Sequence, residues 1–244
     1  MKKLLPRLAA AAATLACAGT SHAVILTFDA TINTASAFFA PLLTHNDAIF
    51  TQGLEIDLVS VKPDAQAGVD LVGALINGSS LAATCTSLVC PSNNPTTFLA
   101  ALNDGIPAIN SISGAKVSVS GFDASFIAAA GAVVPATALI LRLEGYNNGA
   151  LALSQDFTIP GPTAGAYSFA AYTTNTAFAA TQFDFVAFRG FACDAGGSCS
   201  TQTDRGQFGL DNINIAVVPE PAEWLLMGLG LAAVGGLVRR RRAA

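Results

Sequence analysis

The 244-residue chain predicts an all-β fold, a β-sandwich of jelly-roll-like type with one short helix. Three observations carry this. Apolar residues alternate with polar or small ones over many short segments, the period of half-buried strands. Turn-forming clusters separate those segments. A helical pattern with its own start and stop residues occurs clearly only once.

In chain order, the candidate strands are residues 24–28, 54–58, 69–76, 116–120, 138–143, 151–157, 166–172, 183–188 and 212–217. Leu54-Glu55-Ile56-Asp57-Leu58 sends its aliphatics to one face and its acids to the other, and Lys116-Val117-Ser118-Val119-Ser120 repeats the pattern. Lys62-Pro63-Asp64, Asn77-Gly78, Tyr146-Asn147-Asn148-Gly149 and Pro160-Gly161-Pro162 supply the turns. Many short strands joined by polar turns argue two packed sheets. The helix is expected where Asn94 can cap, Pro95 fits the first position, Phe98, Leu99 and Leu102 share a face, and Gly105 stops it.

The ends of the chain read as addresses. Lys2, Lys3 and Arg7 precede an uncharged apolar run over residues 8–18, and Ser21-His22-Ala23 offers small residues where signal peptidase cuts. Residues 1–23 are therefore expected to be a signal peptide, cleaved between Ala23 and Val24. Eleven apolar residues at about 1.5 Å each are too short for a roughly 30 Å hydrocarbon core, which argues against an anchor. Thr14 stands where a lipobox ahead of Cys17 would need Leu or Val.

At the other end, Val218-Pro219-Glu220-Pro221 leads into Trp224 and an uncharged run, closed by Arg239, Arg240, Arg241 and Arg242. The arginines place that end in the cytoplasm. Residues 224–238 would span about 22 Å as a helix, a marginal anchor suited to temporary retention in the inner membrane. The order Pro-Glu-Pro, short apolar helix, arginine cluster resembles the PEP-CTERM sorting signal of Gram-negative bacteria. The resemblance implies recognition by an exosortase, removal of the tail near Pro219 to Pro221, and a place at the cell surface or in the exopolysaccharide matrix of a biofilm. The alternative is a plain tail anchor behind a proline-rich linker. The expected organisation is a signal peptide over 1–23, a secreted domain over 24–217 and a sorting signal over 218–244.

Whole-chain figures are misleading until these ends are set aside. Mean hydropathy is +0.53 and formal net charge −4. Between residues 24 and 217 five bases (Lys62, Lys116, Arg142, Arg189, Arg205) face 14 acids, a net of −9. Such a surface repels phosphate backbones and excludes nucleic acid as a partner, leaving divalent cations and neutral glycans.

Once Cys17 leaves with the signal peptide, Cys85, Cys90, Cys193 and Cys199 remain. An even count in an exported chain reads as two disulfides, and local pairing is preferred because each pair brackets turn residues such as Gly196-Gly197. A four-thiolate zinc site is the alternative, but C-x4-C and C-x5-C are looser than a zinc knuckle.

The last strand slips phase. Phe208 and Leu210 alternate in one register, and Ile213, Ile215 and Val217 in the next, so a β-bulge is expected at Asp211-Asn212. Gln207, Phe208 and Asp211 spell Q-F-x-x-D, which resembles the QFxxD family of PEP-CTERM proteins; the resemblance implies location and architecture, not an activity. Two readings of Asp211 stay open. It could ligate calcium together with Asp29, if the first and last strands lie side by side, or it could bond backbone amides freed by the bulge. No D-x-[DN]-x-[DN]-G loop occurs, which favours the second.

Catalytic constellations are scarce. Beyond residue 23 the only histidine is His45, in the polar stretch Thr44-His45-Asn46-Asp47, where a solvated loop histidine is expected. Neither G-x-S-x-G nor H-E-x-x-H occurs, and Gly228-Leu229-Gly230-Leu231-Ala232-Ala233 matches a nucleotide fingerprint only by composition of the tail. For sugar binding, Tyr167 and Tyr172 are an odd five residues apart and would point to opposite faces of a strand. The expectation is a non-enzymatic surface or matrix protein without catalytic residues or a resident cofactor. The alternatives are a calcium-stabilised carbohydrate-binding module and a glycoside-active enzyme using paired carboxylates.

Overall fold

Burial along residues 54–60 alternates strictly, with Leu54, Ile56 and Leu58 at 0% exposure and the residues between them half-exposed. That alternation repeats through a computed structural model that describes residues 22–29, 33–34, 42–199 and 206–218. These fall within one compact unit, Ser21–Glu220.

In chain order the strands are His22–Leu26 (β1), Asn33–Thr34 (β2), Leu42–Thr44 (β3), Asp47–Thr51 (β4), Leu54–Ser60 (β5) and Leu71–Asn77 (β6). Next come Leu88–Val89 (β7), Thr97–Ala101 (β8), Gly105–Ser111 (β9), Lys116–Phe126 (β10) and Ala128–Ala129 (β11). The last are Thr137–Asn147 (β12), Ala150–Pro160 (β13), Ala170–Thr173 (β14), Phe185–Ala192 (β15) and Phe208–Val218 (β16). Among the described residues helix is confined to short turns, Leu81–Thr84 (α1) after a 3-10 turn and Thr176–Ala180 (α2). Asn175 caps α2 by accepting from the Phe178 amide, and Phe178 is buried against Phe183 at 4.8 Å.

Two seven-stranded antiparallel sheets form the sandwich. One runs β14-β10-β16-β8-β6-β3, with β1 also on β16; the other runs β13-β12-β15-β9-β5-β4-β2. Their facing sides hold the main core, including Leu26, Phe28, Ile56, Ile109, Leu141, Phe188, Phe208 and Ile215. Phe122 anchors an edge-to-face cluster, 4.9 Å from Phe157 and 5.0 Å from Phe188. A fully buried side chain of this size contributes about 1.5–3 kcal/mol.

The first sheet also buries part of its outer face. Ala74, Ile76, Phe98, Ala100, Leu102 and Ile127 form a second cluster there, covered by Leu81, Cys85, Leu88, Cys90 and Phe169. This corrects the helix expected after Asn94: residues 97–101 are strand β8, paired with β6 and β16. Leu99 and Ala101 enter the main core while Phe98 and Ala100 enter the second. A strand covered on both faces reads as a continuous apolar run, which periodicity cannot separate from a helix.

Cys85 pairs with Cys90 and Cys193 with Cys199, the local connectivity expected. His45 is half-buried rather than solvated. Its Nδ1 accepts from the Ser60 amide at 2.9 Å, which puts the ring proton of the neutral form on Nε2. The turn that carries it is closed by Asp47, which accepts from the backbone and hydroxyl of Thr44.

The expected cleavage between Ala23 and Val24 falls inside β1; a cut there leaves Val24, Ile25 and Leu26 paired with β16. Val218, placed with the sorting signal, ends β16 opposite Lys116. Pro219, Glu220, Pro221 and the four arginines lie outside the described residues. Among the described residues no helix is long and apolar enough to cross a membrane.

Candidate functional site

The first and last strands do lie side by side. One edge of β16 is shared by two strands: residues 208–210 pair with β8, and residues 213–217 pair with β1. The seam between those partners falls at Asp211-Asn212. On the opposite edge, Gly121 and Asp123 of β10 face Asn214 and Asp211, so β16 carries an extra residue there. Asn212 has φ +49°, a conformation that Asn tolerates better than most residues. The bulge expected from the phase slip is therefore present.

Asp211 closes this seam from beneath. It is 1% exposed, and its Oδ2 accepts from Asn94 Nδ2 at 2.7 Å and from Thr96 Oγ1 at 3.2 Å, while Oδ1 accepts from the Asn212 amide at 2.8 Å. Asn212 Nδ2 in turn donates to Asp123 at 2.8 Å. Asp29 follows β1 to the same seam and accepts from the Thr97 amide at 2.7 Å. Burial raises the Asp211 pKa, and the charge of nearby Asp29 adds to this, against the three hydrogen bonds that lower it. The two residues named as candidate calcium ligands are thus neighbours. Protein donors engage Asp211 at both oxygens: one is a backbone amide of the bulge, the kind of donor the second reading named, and two are the side chains of Asn94 and Thr96. Among the described residues no group of three or more His, Cys, Asp or Glu is placed to hold a metal.

Alternation explains the rest of Q-F-x-x-D. Phe208 and Leu210 enter the main core, while Gln207, Gly209 and Asp211 share the other face. A Cβ on Gly209 would lie 2.8 Å from the Phe169 ring, so only glycine lets that ring close over the second cluster. The Gln207 Oε1 is buried and has no hydrogen-bond partner among the described residues.

A second feature, which sequence reasoning missed, lies on the outer face of the other sheet. Cross-strand neighbours build one row of Phe50, Glu55, Asn110, Phe185 and Tyr146. The next row, Ala48, Asp57, Ala108, Ala187 and Glu144, is mostly small. The difference in height leaves a cleft of about 670 Å3 over Ala108, lined by Asn46, Asp57, Val59, Asn110, Asp184 and Phe185. Tyr146 and Phe185 stack at 4.6 Å with 7° between their planes. Glu144 accepts from Tyr146 at 2.6 Å and Arg189 at 3.0 Å. Burial, with the charge of Glu55, raises the Asp57 pKa. The signal was present in Glu55 and Asp57 on one strand face, but the register that sets them beside Asn110 and Phe185 spans three strands.

No family model and no curated protein matches the chain. Among solved structures it is similar to a DUF4465 family protein from Bacteroides caccae, at a TM-score of 0.49 and 10% identity over 82% of this chain and 100% of that one. It is also similar to the enzymatically active domain of tailspike protein 4 of bacteriophage CBA120, at a TM-score of 0.30 and 10% identity over 68% of this chain and 20% of that one. Likeness at this level says nothing of function.

Proposed function

We propose that this chain is an exported, non-enzymatic surface or matrix protein, sorted through the PEP-CTERM and exosortase system and associated with exopolysaccharide. The observation that carries the reading is the sequence of the tail: Val218-Pro219-Glu220-Pro221, a short apolar run, and Arg239 to Arg242, in that order. Two disulfides fit an oxidising compartment and agree with it. At the seam, Asp211 spends its carboxylate on protein donors, a tethering role rather than a catalytic one.

Replacing Pro219, Glu220 and Pro221 by alanine tests the sorting step. Mass spectrometry of cell fractions should show the signal peptide removed at Ala23 and the tail retained in the membrane fraction. Release of the variant in the same processed form as the wild type would overturn exosortase sorting.

A further inference from the structure

We infer that the cleft over Ala108 binds a neutral, hydroxyl-rich glycan chain. The inference deepens the matrix reading, on which the choice of a polysaccharide rests, and the site itself is argued from its side chains. About 670 Å3 lies within the range of about 300–1,000 Å3 typical of ligand clefts.

Three properties of the lining select the ligand. The first is an aromatic platform. Tyr146 covers one face of the Phe185 ring from the β12 side, so the opposite face is turned across the strands toward Asn110 and the cleft. A ring face carries partial negative charge and packs against the weakly positive C–H face of a sugar. Stacking on Tyr146 also holds the platform in place before a ligand arrives, which limits the ordering cost of binding.

The second property is a set of polar groups with capacity to spare. The Asp57 side chain has no hydrogen-bond partner among the described residues, and its carboxylate can accept from neighbouring hydroxyls. Asn110 donates through Nδ2 to Glu55 at 3.1 Å and keeps its carbonyl oxygen for a hydroxyl donor. Asn46, held at φ +66° in the turn before β4, adds a second amide at the rim.

The third property is charge. Asp57 and Asp184 line the cleft and no lysine or arginine does. Lys116 pairs with the cleft's own Asp184 at 2.6 Å and offsets that charge, and Arg189 is held by Glu144 at 3.0 Å, so the excess negative charge in the lining is that of Asp57. Uronates, sulfated sugars and phosphates are therefore repelled, whereas uncharged hydroxyls are not. The row of small residues crosses the strands from Ala48 to Ala187, so a chain lies across the sheet rather than along a strand.

Isothermal titration of the purified full-length chain tests this, using cello-, malto- and mannohexaose as neutral probes, oligogalacturonate as the anionic probe and a chitosan oligomer as the cationic one. At least one neutral hexasaccharide should bind, and oligogalacturonate should not. Phe185→Leu, which keeps apolar bulk without the ring, and Asp57→Asn, which keeps shape without the charge, should each weaken binding about tenfold or more. Asp156→Asn, on the same sheet face but beyond the cleft, should leave it unchanged. Thermal melts of all variants separate loss of the site from loss of the fold. The inference is overturned if no neutral probe binds the wild type, if only a charged probe binds, or if the folded cleft variants bind as the wild type does. Matrix association of a chain that binds none of the neutral probes would defeat the cleft and leave the sorting reading standing. Glycan binding by a chain whose tail is never processed would do the reverse.

Discussion

Asp211 is placed where a bulge, a seam between strands and a loop meet, and its role can be tested at the scale of one side chain. Asp211→Ala removes the acceptor for Asn94, Thr96 and the Asn212 amide. Leaving buried donors unpaired should lower stability by about 1–3 kcal/mol in denaturant titration. Melting temperature should be the same with millimolar calcium and with chelator; a calcium-dependent rise in the wild type that Asp211→Ala loses would instead assign the carboxylate to a cation. A pH dependence follows from the direction of its pKa. Burial raises it above the ordinary value of 3.8, so the folded state holds this proton more tightly than the unfolded state. Stability contributed by this group is therefore lost as pH rises from the unfolded value through the folded one. Melts of wild type and Asp211→Asn across pH 3–6 should show the wild type losing ground to the variant as pH rises. Asp156 has the opposite sign: its bond to Arg142 lowers its pKa, and its contribution fades as pH falls through the depressed value. That pair is partly exposed, so the effect is small.

At the scale of elements, the segment between β6 and β8 acts as a cover for the second cluster. It is fixed at one end by Cys85–Cys90 and at the other by Asn94 on Asp211. Replacing both cysteines by serine should cost about 2 kcal/mol from the short closed loop, read as a shift in denaturant midpoint, and non-reducing peptide mapping of the exported protein should find no free thiol. Gly78 sits under the same cover. A Cβ there would lie 1.8 Å from the Asn94 carbonyl oxygen, so Gly78→Ala should displace the loop at a cost of about 1–3 kcal/mol. The mistaken helix belongs to this scale too. Asn94 does bond the Thr96 amide at 2.9 Å, as a cap would, but β8 follows because two neighbouring strands take its backbone groups. Residues 105–111 went unread for a related reason: Pro107 broke the local pattern, and only pairing with β5 places it on the core side opposite Leu58.

Across the whole molecule, the chain closes on itself late. β1 pairs His22 with Val217 and Leu26 with Ile213, so the first strand finds its place only when the last is available. Folding governed by such distant pairings is slow, and stopped-flow refolding should fall in milliseconds to seconds rather than microseconds. Phe28, 1% exposed just beyond β1, carries that closure into the core. Phe28→Ala should cost about 3–5 kcal/mol, measured by equilibrium unfolding.

Short-range chemistry on this chain could be read without a fold. Strand alternation at residues 54–58 and 116–120, the phase slip at Asp211-Asn212 and the local cysteine pairs each depend on neighbours a few residues apart. The patterns at both ends are likewise linear, and the proposal of export rests on them. Tertiary structure decided what depends on partners far along the chain. It made residues 97–101 a strand by covering both faces, and it set Asp29 beside Asp211 by pairing β1 with β16. It also lined up Asp57, Asn110 and Phe185 across three strands into a cleft. Periodicity reports which face of an element is apolar, but not which element will lie against it, because register between distant strands is fixed by packing and hydrogen bonding once the sheets have formed.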